Sequence, residues 1–488
     1  MDSLPAPLVT DPSGGASGAP LVAEEALLAE LQTKRISLAR AIVFAFVDLQ
    51  FGPSLAVFAG YLIVTGGGGS WFSIVLAFFL ILSVAEVVRI FSSRYVVTGG
   101  LMTYLVKTNS RRAGYFVGSA NLLGYLGLAA AVSTGVTYFS QAVFLDLHWD
   151  GLTSQSTQIA TFCVVGALST AIALRGLQIA STIAIALGLL CIPFVVWITV
   201  QALFRSNDSQ WGSLRPHFGN LALLFAPVPL VLSSYIGFDG WAFLAAETDR
   251  PQRNVPRILN SVVIGSSIII LIATLVQTPM LLNHATEIDD GQSPLSIMTH
   301  IAGLDWLATT LDIVLTLAIF GAGITALTYG GRLFAAAATV GLLPRAVARV
   351  SGGSKAPWVA IVCLGAAEIV LPTALSIIVH KTPIDAGIYF SESTAYLWAV
   401  PYVVSALAAA RIVWRSPRRA HVSLVVAIFC AAGYTAFMVY SLRDGWSTAD
   451  TALPWICLIL IAALFAAMMV IEWRRGESVD LLALDAAE

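Results

Sequence analysis

Of the chain's 488 residues, 58% are hydrophobic and 11% are charged, and the net charge is −2. A soluble domain carries about 25% charged residues to dress its water-facing surface, and a disordered chain is far less apolar. The composition therefore excludes both and points to a lipid bilayer as solvent, while the absence of a dense basic block gives nucleic acid no footing.

Residues 1–36, rich in Pro, Gly and Ser and then acidic, are expected to form a mobile cytoplasmic tail with a short amphipathic turn at 24–30. That tail precedes the first apolar run, which therefore reads as an anchor and not a cleavable signal. Runs of the roughly 20 apolar residues needed to cross a bilayer lie at 38–64, 70–93, 112–145, 157–174, 178–203, 219–247, 257–282, 305–338, 357–379, 386–412, 420–441 and 453–473. They predict an all-α polytopic membrane protein of about twelve transmembrane helices. The runs at 112–145 and 305–338 are over-long and should tilt or extend beyond the bilayer. With both termini cytoplasmic, only Arg205, Arg215, Lys381 and Arg443 fall outside, the asymmetry of the positive-inside rule. The expected location is a cytoplasmic or plasma membrane.

The five cysteines lie in apolar runs without CxxC spacing, and the six histidines sit at span ends or in loops. No metal site, cofactor or catalytic constellation follows, so the chain is not expected to be an enzyme. The longest loop, 282–304, has room for a small cap and no catalytic domain.

Two spans carry interruptions. In the first, Val47-Asp48-Leu49-Gln50-Phe51-Gly52-Pro53-Ser54 divides the apolar run; proline removes a donor and glycine eases unusual dihedrals. The sixth reads Tyr235-Ile236-Gly237-Phe238-Asp239-Gly240-Trp241, again with glycine and a carboxylate at mid-depth. One break alone is open to reading as a proline kink. Matched breaks in corresponding helices of two halves point to an inverted-repeat transporter with its solute between them. Half-helix N-termini suit an anionic group and carbonyl ends a cation, so a zwitterion fits.

At these residues the chain resembles the amino acid–polyamine–organocation superfamily. Ala85-Glu86 followed by Thr98-Gly99-Gly100 and Tyr104, the Arg175-Gly176 turn, Ile236-Gly237-Phe238-Asp239 followed by Glu247 and Pro251 to Arg257, and Gly331-Arg332 with Gly341 to Pro344 match its patterns in order. The resemblance implies the leucine-transporter fold: a core at 37–412, in repeats 37–203 and 219–412, two added helices at 420–473 and a cytoplasmic tail at 474–488. It implies alternating access for an amino acid, held by Gly52, Pro53 and Ser54 at its carboxylate and by carbonyls around Tyr235, Ile236 and Phe238 at its amine. Pro53 departs from the family's first-span pattern because it has no N–H to donate; Ser54 is expected to offer its hydroxyl instead.

A mid-bilayer carboxylate costs at least about 2.5 kcal/mol, so a functional partner is expected. Asp48 is either a cavity-facing group for an ammonium or a link to a neighbouring helix. Asp239 is favoured as structural or gating, Glu86 as paired with Arg89 or another span, and Glu392 as a vestibule ligand or a solvated helix start. Gln50, Phe51, Gly237 and Tyr396 complete the candidate site, with Phe238 and Trp241 as gates. Members of the resembled family can carry a fifth-span lysine in place of sodium, and a sodium site would need hydroxyls on the inner eighth span. Ser181–Val200 contains no lysine and Leu317–Ile324 no hydroxyl, so the resemblance implies exchange, or proton coupling through a carboxylate such as Asp48. The alternatives are a polyamine or other cationic amine as cargo, and a transport-like sensor.

Overall fold

A computed structural model describes residues 36–474 apart from 207, 217, 220–223, 226, 290–291, 381, 417–420 and 445–450, together with Leu27 and Leu31. The expected tails therefore lie almost wholly outside the described residues. Among the described residues every regular element is helical, and the one β-bridge pairs Ile36 with Thr248.

The first apolar run forms two helices, α1 (Leu38–Asp48) and α2 (Phe51–Gly66), and α3 (Phe72–Ser92) follows. Next come α4 (Gly100–Thr108), the long α5 (Arg111–Asp146) and α6 (Gln155–Ala173). Gly176 then turns the chain at φ +91°, where a Cβ would lie 2.4 Å from the Ser354 carbonyl oxygen. Helices α7 (Leu177–Leu190) and α8 (Ile192–Arg205) meet at Cys191, with Pro193 in the first turn of α8, where a missing N–H costs no helical bond.

The second half begins with a six-residue helix, α9 (Val228–Ser233), and a 3-10 turn, Phe238–Ala242. It continues through α10 (Pro251–Leu281), α11 (Ala285–Asp289), α12 (Pro294–Ile301), α13 (Ala308–Thr339), α14 (Trp358–Ile378) and α15 (Pro383–Arg415). Two further helices close the described chain, α16 (His421–Asp444) and α17 (Leu453–Arg474). Helix starts carry the chemistry they need: Ser110 accepts from the Ala113 N–H at 3.1 Å and Thr382 from the Asp385 N–H at 3.2 Å.

Among the described residues, ten helical stretches are long and apolar enough to cross a membrane. The first of them, Leu38–Ser92, contains two of the apolar runs; the run at 219–247, part of which lies outside the described residues, is not among the ten. The two runs expected to be over-long are α5 and α13, at 36 and 32 residues. These two helices form the interior: each packs on the other, and α5 also packs on α14 and α15. The loop at 282–304 holds the short helices α11 and α12 as a cap over α2.

One end of the bundle is laced shut. Arg332 on α13 binds Glu247, with both side chains buried. The Ile36 N–H donates to the Glu247 carbonyl at 2.9 Å. Arg40 on α1 reaches α7, where Ser181 Oγ accepts at 2.8 Å and the Gln178 carbonyl and Thr182 also accept. Leu27 and Leu31 are buried against Ala335 at the same end.

Candidate functional site

The first break falls at Leu49–Gln50, two residues before Gly52. Gln50 takes a left-handed conformation (φ 48°, ψ 39°) between α1 and α2, one that costs a non-glycine residue about 1–2 kcal/mol. Pro53 is then no kink. It occupies the first turn of α2, where its missing donor breaks no helical bond. The Ser54 N–H donates to the Gln50 carbonyl at 2.9 Å. The N–H groups free of such bonding at this N-terminus are those of Phe51 and Gly52, by position. A cavity of about 10 Å³ borders Gln50, Phe51, Gly52 and Pro53, room for about one water. Gly52 is required by contact: a Cβ there would sit 2.1 Å from Cys191 Sγ and 3.1 Å from the Gly188 carbonyl.

The second break falls at Gly237, whose φ of +92° suits glycine. Its carbonyl accepts from Gly240 at 2.7 Å, and the Tyr235 carbonyl accepts from Phe238 at 3.3 Å. The breaks face each other, because a Cβ on Gly237 would lie 3.7 Å from Asp48 Oδ2.

Asp48 is buried at the last residue of α1. Its Oδ1 lies 2.8 Å from Thr325 Oγ on α13, and its Oδ2 has no hydrogen-bond partner. Thr325 also stands 2.6 Å from the Ala322 carbonyl, so its one hydrogen has two acceptors to choose from. Asp239 Oδ1 accepts from Trp398 Nε1 and from the Tyr402 hydroxyl, each at 3.1 Å, and Oδ2 is again unpartnered. The two carboxylates stand on either side of Gly237, Asp239 two residues along the chain from it and Asp48 Oδ2 within 3.7 Å of where its Cβ would lie. Around them stand the buried hydroxyls of Tyr125, Tyr329 and Tyr434 and the indole N–H of Trp241, none with a hydrogen-bond partner among the described residues. A buried polar atom without a partner is costly, and here several surround two acids, so the centre presents acceptors at the carboxylates, hydroxyls that can donate or accept, and a donor at the indole.

Several expected residues are turned elsewhere. The Tyr235 hydroxyl bonds Ser267 on α10 at 2.7 Å. Tyr396 stacks on Phe437 of α16 with ring centroids 5.7 Å apart. Phe51 packs edge-on to Phe46 at 5.2 Å. Ile236 is buried beside the second break. Trp241 lies between Phe44 and Tyr329, and Phe238 lies 6.5 Å from Tyr402. Glu392, ten residues into α15, is buried, so the reading as a solvated helix start does not hold. Glu86 accepts from Arg89 at 2.5 Å and also from Ser423 on α16 at 2.7 Å, joining both partners foreseen for it. Thr325, Tyr125, Tyr329 and Tyr402 were not foreseen.

Residues 36–472 match the amino acid permease family. The chain is 25% identical to a branched-chain amino acid permease of Bacillus subtilis over 63% of its own length and 68% of that protein's. It is 24% identical to a methylthioribose transporter of the same organism, over 67% and 73%. It is also 24% identical to a low-affinity putrescine importer of Escherichia coli, over 62% and 68%.

Proposed function

The chain belongs to the amino acid permease family, and from that premise we propose that it moves an amino acid across the membrane by alternating access, as a symporter or exchanger. The observation that carries this reading is the meeting of the two breaks: Asp48 Oδ2, buried and unpartnered, faces Gly237. The substrate's ammonium sits at Asp48, and its carboxylate meets the Phe51 and Gly52 N–H groups at the positive end of α2. Substrate entry satisfies polar atoms that burial leaves bare, so binding energy is gained where the closed centre is least content.

On this reading the chain crosses the bilayer twelve times. Leu38–Ser92 makes two crossings and the broken segment around Gly237 makes one more. Two five-helix repeats of inverted topology form the core, α16 and α17 are additions, and both termini are cytoplasmic. The laced end with Arg332 and Glu247 is then the cytoplasmic gate, closed here.

A second reading has its own observation. Two buried carboxylates in one centre suit a diamine or other cationic amine better than a neutral amino acid, and a putrescine importer is among the relatives. Uptake into proteoliposomes of radiolabelled leucine, isoleucine, valine, phenylalanine and putrescine, with counterflow for each, tests both. Saturable counterflow of an amino acid supports the first reading, and counterflow of putrescine alone the second. Binding of any of these without counterflow would make the protein a sensor.

A further inference from the structure

We propose that Glu368 is a proton-binding site that couples to transport, placed apart from the substrate centre on the far side of α13. This rests on the transport reading above.

Glu368 lies on α14 and is fully buried. Among the described residues no Arg, Lys or His side chain pairs with it. Its Oε2 lies 2.6 Å from Ser169 Oγ on α6, and its Oε1 has no hydrogen-bond partner. Ser169 Oγ is also 3.2 Å from the Gly166 carbonyl, one turn back on its own helix. A hydroxyl has one hydrogen, so Ser169 cannot donate to both oxygens. Each hydrogen has one acceptor when Glu368 is a carboxylic acid that donates from Oε2 to Ser169, which in turn donates to Gly166, and Oε1 is then a neutral carbonyl oxygen, far less costly to leave unpartnered than a charge. A bare carboxylate there would be a buried charge with no counter-ion, which proteins avoid.

The environment leaves no charged substitute for that proton. Gly323 of α13 and Val132 of α5 meet at the same point, since a Cβ on Gly323 would lie 3.3 Å from Glu368 Oε1 and 3.0 Å from Val132. The titratable groups on the packed helices closest in sequence to the contact are Cys363 on α14 itself, Cys163 on α6, Tyr125 and Tyr138 on α5 and Tyr329 on α13. The nearest on α15 is Glu392, and the adjoining turn Arg345–Ala348 carries Arg345. None hydrogen-bonds Glu368.

Gly323 and Thr325 are two residues apart on α13, about 200° around the helix. One face of α13 therefore touches Glu368 and the other holds Asp48. The same pattern recurs on both faces: a carboxyl group, a hydroxyl, and a carbonyl three residues before that hydroxyl. A shift of α13 that opens the Asp48 side alters the packing at Gly323. The carboxyl of Glu368 then meets water and releases its proton, and reclosure takes one up.

The test uses full-length protein in proteoliposomes loaded with the pH dye pyranine, with a leucine, isoleucine and valine mixture or putrescine outside. Wild type is expected to move protons with substrate and to accumulate substrate under an imposed pH gradient. Glu368→Gln, fixed in the neutral shape, should keep counterflow but lose gradient-driven accumulation at least tenfold. Gradient-driven accumulation by Glu368→Gln at the wild-type level, or substrate flux without protons in wild type, overturns the proposal. An infrared titration reads the site without transport. The carbonyl stretch of a protonated carboxylic acid should be present in wild type and reduced in Glu368→Gln, and equal bands overturn the proposal. Should Glu368→Gln not fold, Ser169→Ala should shift the pH of half-maximal uptake by about one unit, the scale of one hydrogen bond; an unmoved profile overturns the proposal. Absence of counterflow in wild type would instead overturn the transport reading, and the infrared band would still decide Glu368.

Discussion

Arg332 and Glu247, 85 positions apart in sequence, bind each other in a two-pronged ion pair with side chains 1% and 3% exposed. Arg332 Nη2 donates to Glu247 Oε1 at 2.7 Å, Nε donates to Oε2, and Nη1 donates to the Thr328 carbonyl at 2.7 Å. Removing one partner of such a pair strands the other charge at a cost of about 3–5 kcal/mol, whereas replacing both with apolar groups is close to neutral. Arg332→Met should therefore lower the melting temperature of detergent-purified protein sharply, and Arg332→Met with Glu247→Leu should recover most of the loss. A double variant no more stable than the single one would show that the two residues do not act as a unit.

The two glycines at the breaks should respond differently to alanine. At Gly52 the new methyl would stand 2.1 Å from Cys191 Sγ, and such overpacking costs about 1–3 kcal/mol. Cys191→Ala in the same chain should return part of that loss in a thermal-shift measurement. At Gly237 the nearest atom to a new Cβ is 3.5 Å away, but φ is +92°, a strain of about 1–2 kcal/mol for an L-residue. Gly237→Ala also sets a methyl toward Asp48, so it should raise Km in uptake assays as well as lower stability. A Gly52→Ala protein that Cys191→Ala leaves unimproved would discount the contact with sulfur.

The helices were legible in the sequence because lipid demands long apolar runs whatever the tertiary packing. The break at 237 was legible too, since glycine marks a positive φ. The break at Gln50 was displaced from its apparent position because a residue other than glycine adopts the left-handed turn, while Gly52-Pro53 begins a regular helix. Thr325 lies one residue past the hydroxyl-free stretch Leu317–Ile324. In an all-apolar helix, composition does not reveal which face is inward. Tyr125, Tyr329 and Tyr402 were hidden for that reason: Tyr396 and Tyr402 lie on the same helix, and only the fold shows that Tyr402 is the one at Asp239. Glu247 and Arg332 were visible as separate patterns, but their union depends on two helix ends meeting in space.

Asp239 is held from α15 by Trp398 and Tyr402. A hydrogen bond to a charged group is worth about 1.5–3 kcal/mol, so Tyr402→Phe should destabilise the protein by roughly that amount while leaving the Trp398 contact. Asp239→Asn should cost a similar amount if Asp239 serves to join the second break to α15. Paired thermal-shift and uptake measurements separate the roles. Loss of stability with an unchanged Km marks a structural clasp, and a raised Km at unchanged stability marks a ligand for the substrate.

Asp48→Asn is the sharpest test of the centre. Asparagine keeps the shape and can still meet Thr325, 2.8 Å away, but it offers no charge to an ammonium. Loss of a charge-assisted hydrogen bond of about 1.5–3 kcal/mol corresponds to roughly 10–100-fold in affinity. Km for the transported solute should rise by that factor with little change in melting temperature. Thr325→Val, similar in volume but without a hydroxyl, leaves the carboxylate in place and removes only its tether to α13. It should raise Km a few-fold and slow turnover, because α1 and α13 would no longer be joined at the break. An Asp48→Asn protein with unchanged Km and a lowered melting temperature would assign Asp48 to the joint between those helices and remove it from the substrate.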